Sequence, residues 1–365
     1  MGNDTAIAVD VAKNVFELGI SDRPGVLRRK ERLQRPQFLP FLAAQPPATV
    51  VMEACGSAQF WARRIEQLGH RVVLLPAHLV RPYVRGNKTD RTDVKGILEA
   101  YRNEDIRPVP LKTPAHQTVV ALHRLRGAWV AERTARLNTI RGLLRELGVF
   151  IPVGARKVVP EVWMQLSDAD SGIPDAIRPF LAEACEEVRD IERRIALVER
   201  QLEALAEQTP TIQRLLTVPG IGLLTATALF ALVVDVQRFP STRHLASYLG
   251  LTPRERSSGN TRRLGAITKR GDAYLRTLLV HGARSVLARA KQKVDSARRD
   301  RLREWAAKVE KARGHNKAAV ALANKMARMV LGGLASRPRL RADPRRRLTS
   351  QKELPPRAAS RSSDG

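Results

Sequence analysis

With 365 residues, 43% of them apolar, and a net charge of +28, the chain is long enough for two or three domains and attracts polyanions strongly. That charge argues against a metabolic enzyme and points to nucleic acid, leaving a ribosomal or chromatin-like binder without chemistry as the alternative. Two cysteines, Cys55 and Cys185, with no CxxC pair and no cysteine–histidine cluster, argue against a disulfide scaffold and a zinc finger.

The segment Met1-Gly2-Asn3-Asp4-Thr5 lacks the basic-then-apolar pattern of a signal peptide, and Ala6 stands where myristoylation wants Ser or Thr. Residues 5–110 alternate between strand and helix patterns. Thr5–Asp10 is a short apolar run with the character of a buried strand, and strands over Val15–Ile20 and Val26–Leu33 would complete an antiparallel meander. A helix over Gln37–Ala44 ends at Pro46-Pro47, and Thr49–Met52 is a second buried strand, running to Glu53. A helix over Gln59–Leu68 is stopped by Gly69, and Arg71–Leu75 is a strand stopped by Pro76. Three strands followed by βαβ units are the order of a ribonuclease-H-like (RuvC-like) α/β domain, here residues 1–112.

From Thr113 the pattern turns helical, with Thr113-Pro114 as cap and first helical position and Gly148 as the stop. This helix is rich in arginine, so it could track phosphates or form a solvated outer face. In the next helix Leu181, Ala184, Val188, Ile191, Ile195, Val198, Leu202 and Leu205 alternate spacings of three and four, the a/d seam of a coiled coil. Residues 113–210 are therefore expected to self-associate, with an intramolecular hairpin against the basic helix as the alternative. Residues 211–335 read as a compact helical region, whose most apolar stretch, Leu223–Val234, is too short to cross a bilayer. A soluble protein of a reducing cytoplasm is expected. Residues 336–365 carry nine Arg and Lys against three Asp and Glu and almost no large apolar side chains, as in a disordered basic tail.

Asp10 and Glu53 each stand at the end of a buried strand, where a carboxylate is rigidly held and open to solvent. In Lys88-Thr89-Asp90-Arg91-Thr92-Asp93 the two aspartates share a face if the segment opens a helix. Four carboxylates converging on one point need a divalent cation, and Mg²⁺ prefers such oxygen ligands. Singly, each has a plain reading as a turn former, an ion-pair partner or a helix cap.

Pro219-Gly220-Ile221-Gly222 before an apolar helix suggests a helix-hairpin-helix turn, in which backbone N–H groups of Gly220 and Gly222 approach a phosphate; a plain interhelical turn is the alternative. Further on, Arg254, Arg256, Arg262, Arg263, Lys269, Arg270 and Arg276 surround Ser257-Ser258-Gly259, a basic glycine-punctuated stretch suited to a sugar-phosphate backbone. Taken alone, this stretch favours a phosphate-binding loop whose serine only donates a hydrogen bond. As a nucleophile, Ser258 would have its developing charge stabilised by those cations.

In order and spacing, Asp10, Glu53, Asp90 and Asp93, the Pro219–Gly222 turn, Ser257-Ser258-Gly259 and Ile267-Thr268-Lys269-Arg270-Gly271 resemble the DEDD transposases of the IS110 and IS1111 insertion sequences, over about residues 5 to 335. The resemblance implies a RuvC-like domain, a coiled-coil insertion and a mainly helical C-terminal transposase domain at 211–335. It implies Mg²⁺ on Asp10, Glu53, Asp90 and Asp93, and Ser258 as the nucleophile that links covalently to DNA. It further implies double-stranded donor and target DNA, a noncoding bridge RNA as guide, and dimers pairing into tetramers, with the acids of one subunit completed by the serine of another, in a bacterial cytoplasm at the nucleoid. Two other functions fit the residues alone: a RuvC-like junction resolvase using only carboxylates and water, and a non-catalytic RNA or DNA binder.

Overall fold

The structure, a computed structural model, describes residues 5–23, 26–84, 90–290 and 301–335, with backbone alone for 90–92 and 335. The expected basic tail, the N-terminal Met1-Gly2 and Lys88-Thr89 lie outside the described residues.

The N-terminal region is a five-stranded mixed sheet with helices on both faces. Strands β1 (Ala6–Val11), β2 (Val15–Ser21) and β3 (Arg29–Gln34) form the antiparallel meander, and β4 (Thr49–Glu53) and β5 (Arg71–Leu75) add in parallel beside β1. The order β3-β2-β1-β4-β5 matches the ribonuclease-H-like expectation. Burial on both faces explains why β1 and β4 read as continuous apolar runs. One face carries Ile7, Val9, Phe16, Leu18, Val50 and Met52. It packs on α1 (Arg35–Ala43) and α2 (Ala58–Glu66), where Phe16 stacks on Phe38 at 4.4 Å and both meet the edge of Trp61. The other face carries Ala8, Val51, Val73 and Leu75. After the short α3 (Ala77–Val80), α4 (Asp90–Tyr101) lays Val94, Ile97 and Leu98 on that face. A side chain at Gly19 of β2 would collide with Val94, so this glycine sets how closely α4 approaches the sheet.

Next come α5 (Pro114–Glu146), α6 (Ala155–Ser167) and α7 (Arg178–Gln208). The threonine cap is present: Thr113 Oγ1 accepts the His116 N–H at 3.3 Å. The heptad seam of α7 forms, but it packs inside one chain. Leu181 and Val188 are buried with Leu137, Ile140 and Leu144 of α5 and with Val158 and Val162 of α6, and Val198 and Leu202 are buried with Val119. The ion pairs Arg126–Glu199 (2.7 Å), Arg133–Glu192 (3.5 Å) and Arg136–Glu187 (3.0 Å) descend α7 as they climb α5, so the two helices are antiparallel. The intramolecular hairpin, the alternative to a self-association seam, is the arrangement observed. The basic face of α5 turns several of its arginines to the acids of α7 rather than to solvent.

The C-terminal region gathers α8 (Pro210–Leu216), α9 (Leu223–Val233), α10 (Thr242–Tyr248), a two-stranded hairpin of β6 (Pro253–Glu255) and β7 (Leu264–Ile267), α11 (Ala273–Ala290), α12 (Arg301–Arg313) and α13 (His315–Ala335). Its core includes Leu215, Leu229, Leu245, Leu279, Leu322 and Met326. Helix α9 is apolar all round because it lies between these helices and the base of α5 and α7. Among the described residues no helix is long and apolar enough to cross a membrane.

Candidate catalytic carboxylates and nucleic-acid surface

Parallel pairing of β1 with β4 runs from Ala6–Thr49 to Val9–Met52, so the next step sets Asp10 beside Glu53. Alternation puts both on the face of Ala8 and Val51, under α4. Their proximity has an electrostatic signature. The thiol of Cys55, two residues beyond Glu53, is pushed above its usual pKa by burial, then by the charge of Glu53 and, more weakly, of Asp10. Register also places Glu17 of β2 opposite Asp10, a neighbour the sequence pattern did not single out; its carboxylate is held by Arg32 at 3.2 Å.

Val94, resting on Gly19, brings the first turn of α4 to this same face, and with it the half-buried Asp93. Asp90 opens the helix, so the aspartates do stand three apart on one helical turn; the Asp90 side chain lies outside the described residues. Among the described residues no three His, Cys, Asp or Glu side chains are gathered as a ready metal cluster. The donor set itself is all hard oxygen, which suits a hard divalent cation and not a soft one.

Over residues 253–267 the basic stretch is a β-hairpin rather than a loop. Its tip is closed by Thr261 N–H donating to Ser258 O at 3.2 Å, with Gly259 at φ +53°. The two serines differ sharply there. Ser257 Oγ donates to Glu255 Oε1 at 2.8 Å and accepts the Arg263 N–H at 3.2 Å, so its hydroxyl belongs to the hairpin's own bonding. Among the described residues Ser258 Oγ has no hydrogen bond, and it points from an exposed tip. Glu255 is held below the usual carboxylate range by the Ser257 hydroxyl and by Arg262, which pairs with it at 3.2 Å.

The cations divide in the same way. Arg256, Arg263, Lys269 and Arg270 are exposed, and Arg254 makes only a long 3.5 Å bond to Thr268 O. Arg276 is half-buried and holds the carbonyls of Leu249 and Arg270, both at 3.1 Å, so it fixes the foot of the hairpin. There Gly250 (φ +67°) and Gly271 (φ +76°) let two backbone segments touch; a side chain on Gly250 would run into the Arg270 carbonyl, and one on Gly271 into the Tyr248 carbonyl.

In the Pro219–Gly222 turn the glycines have separate tasks. Gly220 (φ +83°) faces Gly282 of α11, and a Cβ on it would meet the Gly282 carbonyl at 3.0 Å, so it is a packing contact. Gly222 caps α9 and a Cβ there would meet nothing within 4 Å. It opens onto a cleft of about 530 Å³ that also includes His281, Ser285 and Arg289, where an anion could reach the helix N-terminus.

The sequence model of a DEDD-type transposase of the IS110 group matches residues 7–149, and that of the transposase IS116/IS110/IS902 family matches residues 212–298. The chain is 40% identical over 336 residues to a probable family 20 transposase of Pseudomonas aeruginosa, covering 92% of this chain and 98% of that protein. It is 38% identical to the transposase for insertion sequence element IS1111A of Coxiella burnetii, covering 89% and 88% of the two chains. It is 36% identical to the transposase for insertion sequence element IS1328 of Yersinia enterocolitica, covering 90% and 96%.

Proposed function

Because the chain belongs to the IS116/IS110/IS902 family of transposases, DNA-acting enzymes whose DEDD type implies a divalent metal, we propose that it cuts and rejoins donor and target DNA with Asp10, Glu53, Asp90 and Asp93 as the metal-holding set and Ser258 as the nucleophile. The observation that carries this reading is the adjacent placement of Asp10 and Glu53 on one face and at one end of two parallel strands, beneath the helix that Asp90 opens. Mg²⁺ is the ion proposed for the four carboxylates, where it would supply positive charge to a phosphodiester's non-bridging oxygens.

A serine hydroxyl is a weak nucleophile at neutral pH and needs a proton acceptor and nearby cations. Ser258 Oγ bonds to phosphorus as the bond to the leaving sugar oxygen breaks. Its proton passes to a carboxylate of the set, and the leaving oxygen takes one up. One phosphoester replaces another, so rejoining needs no outside energy source. Arg254, Arg256, Arg262, Arg263, Lys269 and Arg270 hold the phosphates along the hairpin, and the Gly222 N-terminus of α9 holds another. Ser258 and the carboxylates lie on different regions of the chain, which supports a site shared between subunits of a dimer that pairs into a tetramer. A noncoding bridge RNA is the proposed guide, and the charge of +28 suits a protein that binds two nucleic acids at once.

On a cleavable substrate with Mg²⁺, wild type should leave a covalent protein–DNA adduct on a denaturing gel. Ser258→Ala and Asp10→Asn should leave none while still binding DNA, and chelator should abolish the adduct in wild type. Cutting without any adduct would make water the nucleophile, as in a resolvase, and an adduct that persists in Ser258→Ala would move the nucleophile elsewhere.

A further inference from the structure

A cleft of about 270 Å³ opens where α5, α9 and the start of α11 meet, apart from the carboxylates and the Ser258 hairpin. Its floor is apolar and made of small or aliphatic groups: Val120, Ala228, Ala231 and Leu232, with Gly127 at the open side. The rim is charged, with Lys112 and Arg124 facing Asp272. Neither cation has an ion pair among the described residues, and Asp272 is already engaged, accepting the Leu275 N–H at 2.7 Å as the cap of α11.

The inner wall adds no charge. His123 is buried, with Nδ1 2.9 Å from the Tyr274 hydroxyl and Nε2 2.9 Å from Thr227 Oγ1, and burial together with the Arg126 charge holds its pKa at about 4. Lys112 is held below the usual lysine range by burial and by Arg124, and the single charge of Asp272, which acts the other way, does not offset them.

An apolar floor beside an under-neutralised rim selects a ligand with a flat apolar body and an attached anion. Inorganic phosphate would leave the floor unused, and an apolar molecule would leave the rim unused. The volume is below the roughly 300–1,000 Å³ of pockets that take drug-sized ligands, so the occupant is one small unit. A double helix, with its bases stacked inside, cannot present one. Position adds a further argument. Asp272 stands five residues after Ile267, the last residue of β7, so a strand lying along the arginines of the Ser258 hairpin reaches the rim within about 17 Å.

We propose that this cleft receives a single unpaired nucleotide of a bound strand, its base on the Val120–Ala228–Ala231–Leu232 floor and its phosphate between Lys112 and Arg124. The proposal rests on the reading that the chain works on nucleic acid, and it assigns to that work a place where one base leaves the stack.

Gly127 allows a clean test. It lies inside α5, a Cβ there would meet nothing within 4 Å, and leucine is a better helix former than glycine. Gly127→Leu should therefore block the mouth of the cleft without harming the fold. The full chain is titrated with labelled, 5′-phosphorylated single-stranded DNA and RNA oligonucleotides and with blunt duplexes of each. Gly127→Leu, and separately Lys112→Ala with Arg124→Ala, should weaken single-strand binding at least tenfold. For Gly127→Leu, duplex affinity should stay within threefold and the melting temperature should not fall. Loss confined to DNA, or to RNA, identifies the strand that supplies the nucleotide. Single-strand affinity unchanged in Gly127→Leu overturns the cleft assignment, whereas a wild type that binds no nucleic acid of any kind overturns the transposase chemistry proposed above.

Discussion

At the hairpin tip two adjacent hydroxyls have different partners, and the difference predicts different phenotypes. Ser257 bonds Glu255 and the Arg263 backbone, so Ser257→Ala should loosen the hairpin and reduce adduct formation severalfold without abolishing it, measured as adduct per unit time beside Ser258→Ala, which should show none. The sequence alone could not separate these residues, because both sit among the same arginines; only the hydrogen bonding tells them apart. His123 gives a pH-dependent prediction. Its folded pKa of about 4 lies below the ordinary 6.5, so the unfolded chain takes up a proton first as pH falls. The stability associated with the neutral ring is fully present above pH 6.5 and is lost as pH falls from there towards 4, at about 1.4 kcal/mol per unit and about 2–4 kcal/mol in all. Denaturant titrations at pH 4.5 and 7 should show that loss in wild type, and a His123→Gln variant should show a visibly smaller one. Equal slopes in the two proteins would mean that the ring titrates normally.

Among the elements, those with strong periodicity were legible and those with short or broken patterns were not. The strand Arg71–Leu75 and the limits of α5 near Thr113 and Gly148 match expectation because proline, glycine and a capping threonine mark them. Strand β3 begins at Arg29, three residues later than expected, since only an isolated bridge from Arg23 to Val26 precedes it. The β6–β7 hairpin was hidden because its strands are only three and four residues long and almost wholly exposed, leaving no alternation to read. Parity along β1 and β4 made the pairing of Asp10 with Glu53 foreseeable, but Glu17 depends on the register of β2, which composition does not encode. The α7 seam carried the opposite lesson: a heptad pattern specifies a partner helix and is silent on which chain provides it. Val188 and Ile195 are 1% and 6% exposed within one chain, so changing both to Asp should unfold the α5–α7 hairpin, at roughly 3–5 kcal/mol per unpaired buried charge. Circular dichroism alongside sedimentation decides this, since a smaller but fully helical species would restore the seam as a subunit interface. The turn glycines separate as cleanly. Gly282→Ala presses a methyl group into the Gly220 carbonyl and should cost about 1–3 kcal/mol, while Gly222→Ala meets no such contact and should cost at most about 1 kcal/mol through the poorer cap of α9.

For the whole molecule, the charge of +28 makes nucleic-acid binding a measurement of ionic strength as much as of fit. Each phosphate neutralised should contribute about 0.9 to the slope of log affinity against log salt on duplex DNA. Replacing exposed Arg256 and Arg263 by Ala should therefore lower that slope by nearly two, and a slope that does not move would place the duplex away from the hairpin. The antiparallel pair of α5 and α7 bears on a different quantity. Thirty-three residues of α helix span about 50 Å, and Val119, Val198 and Leu202 seal the near end against α9 while α6 closes the far one. Between those ends the two helices are held by the seam and by the Arg126–Glu199, Arg133–Glu192 and Arg136–Glu187 pairs, so the separation of the ends follows from the number of heptads between them. Seven residues added to each helix at matched positions would move the far end outward by about 10 Å with its facing unchanged, whereas seven added to only one would misalign every layer beyond the insertion. The arm is thus a ruler that can be recut, and the spacing between whatever its two ends hold becomes a quantity set by gene length in steps of twenty-one nucleotides per helix.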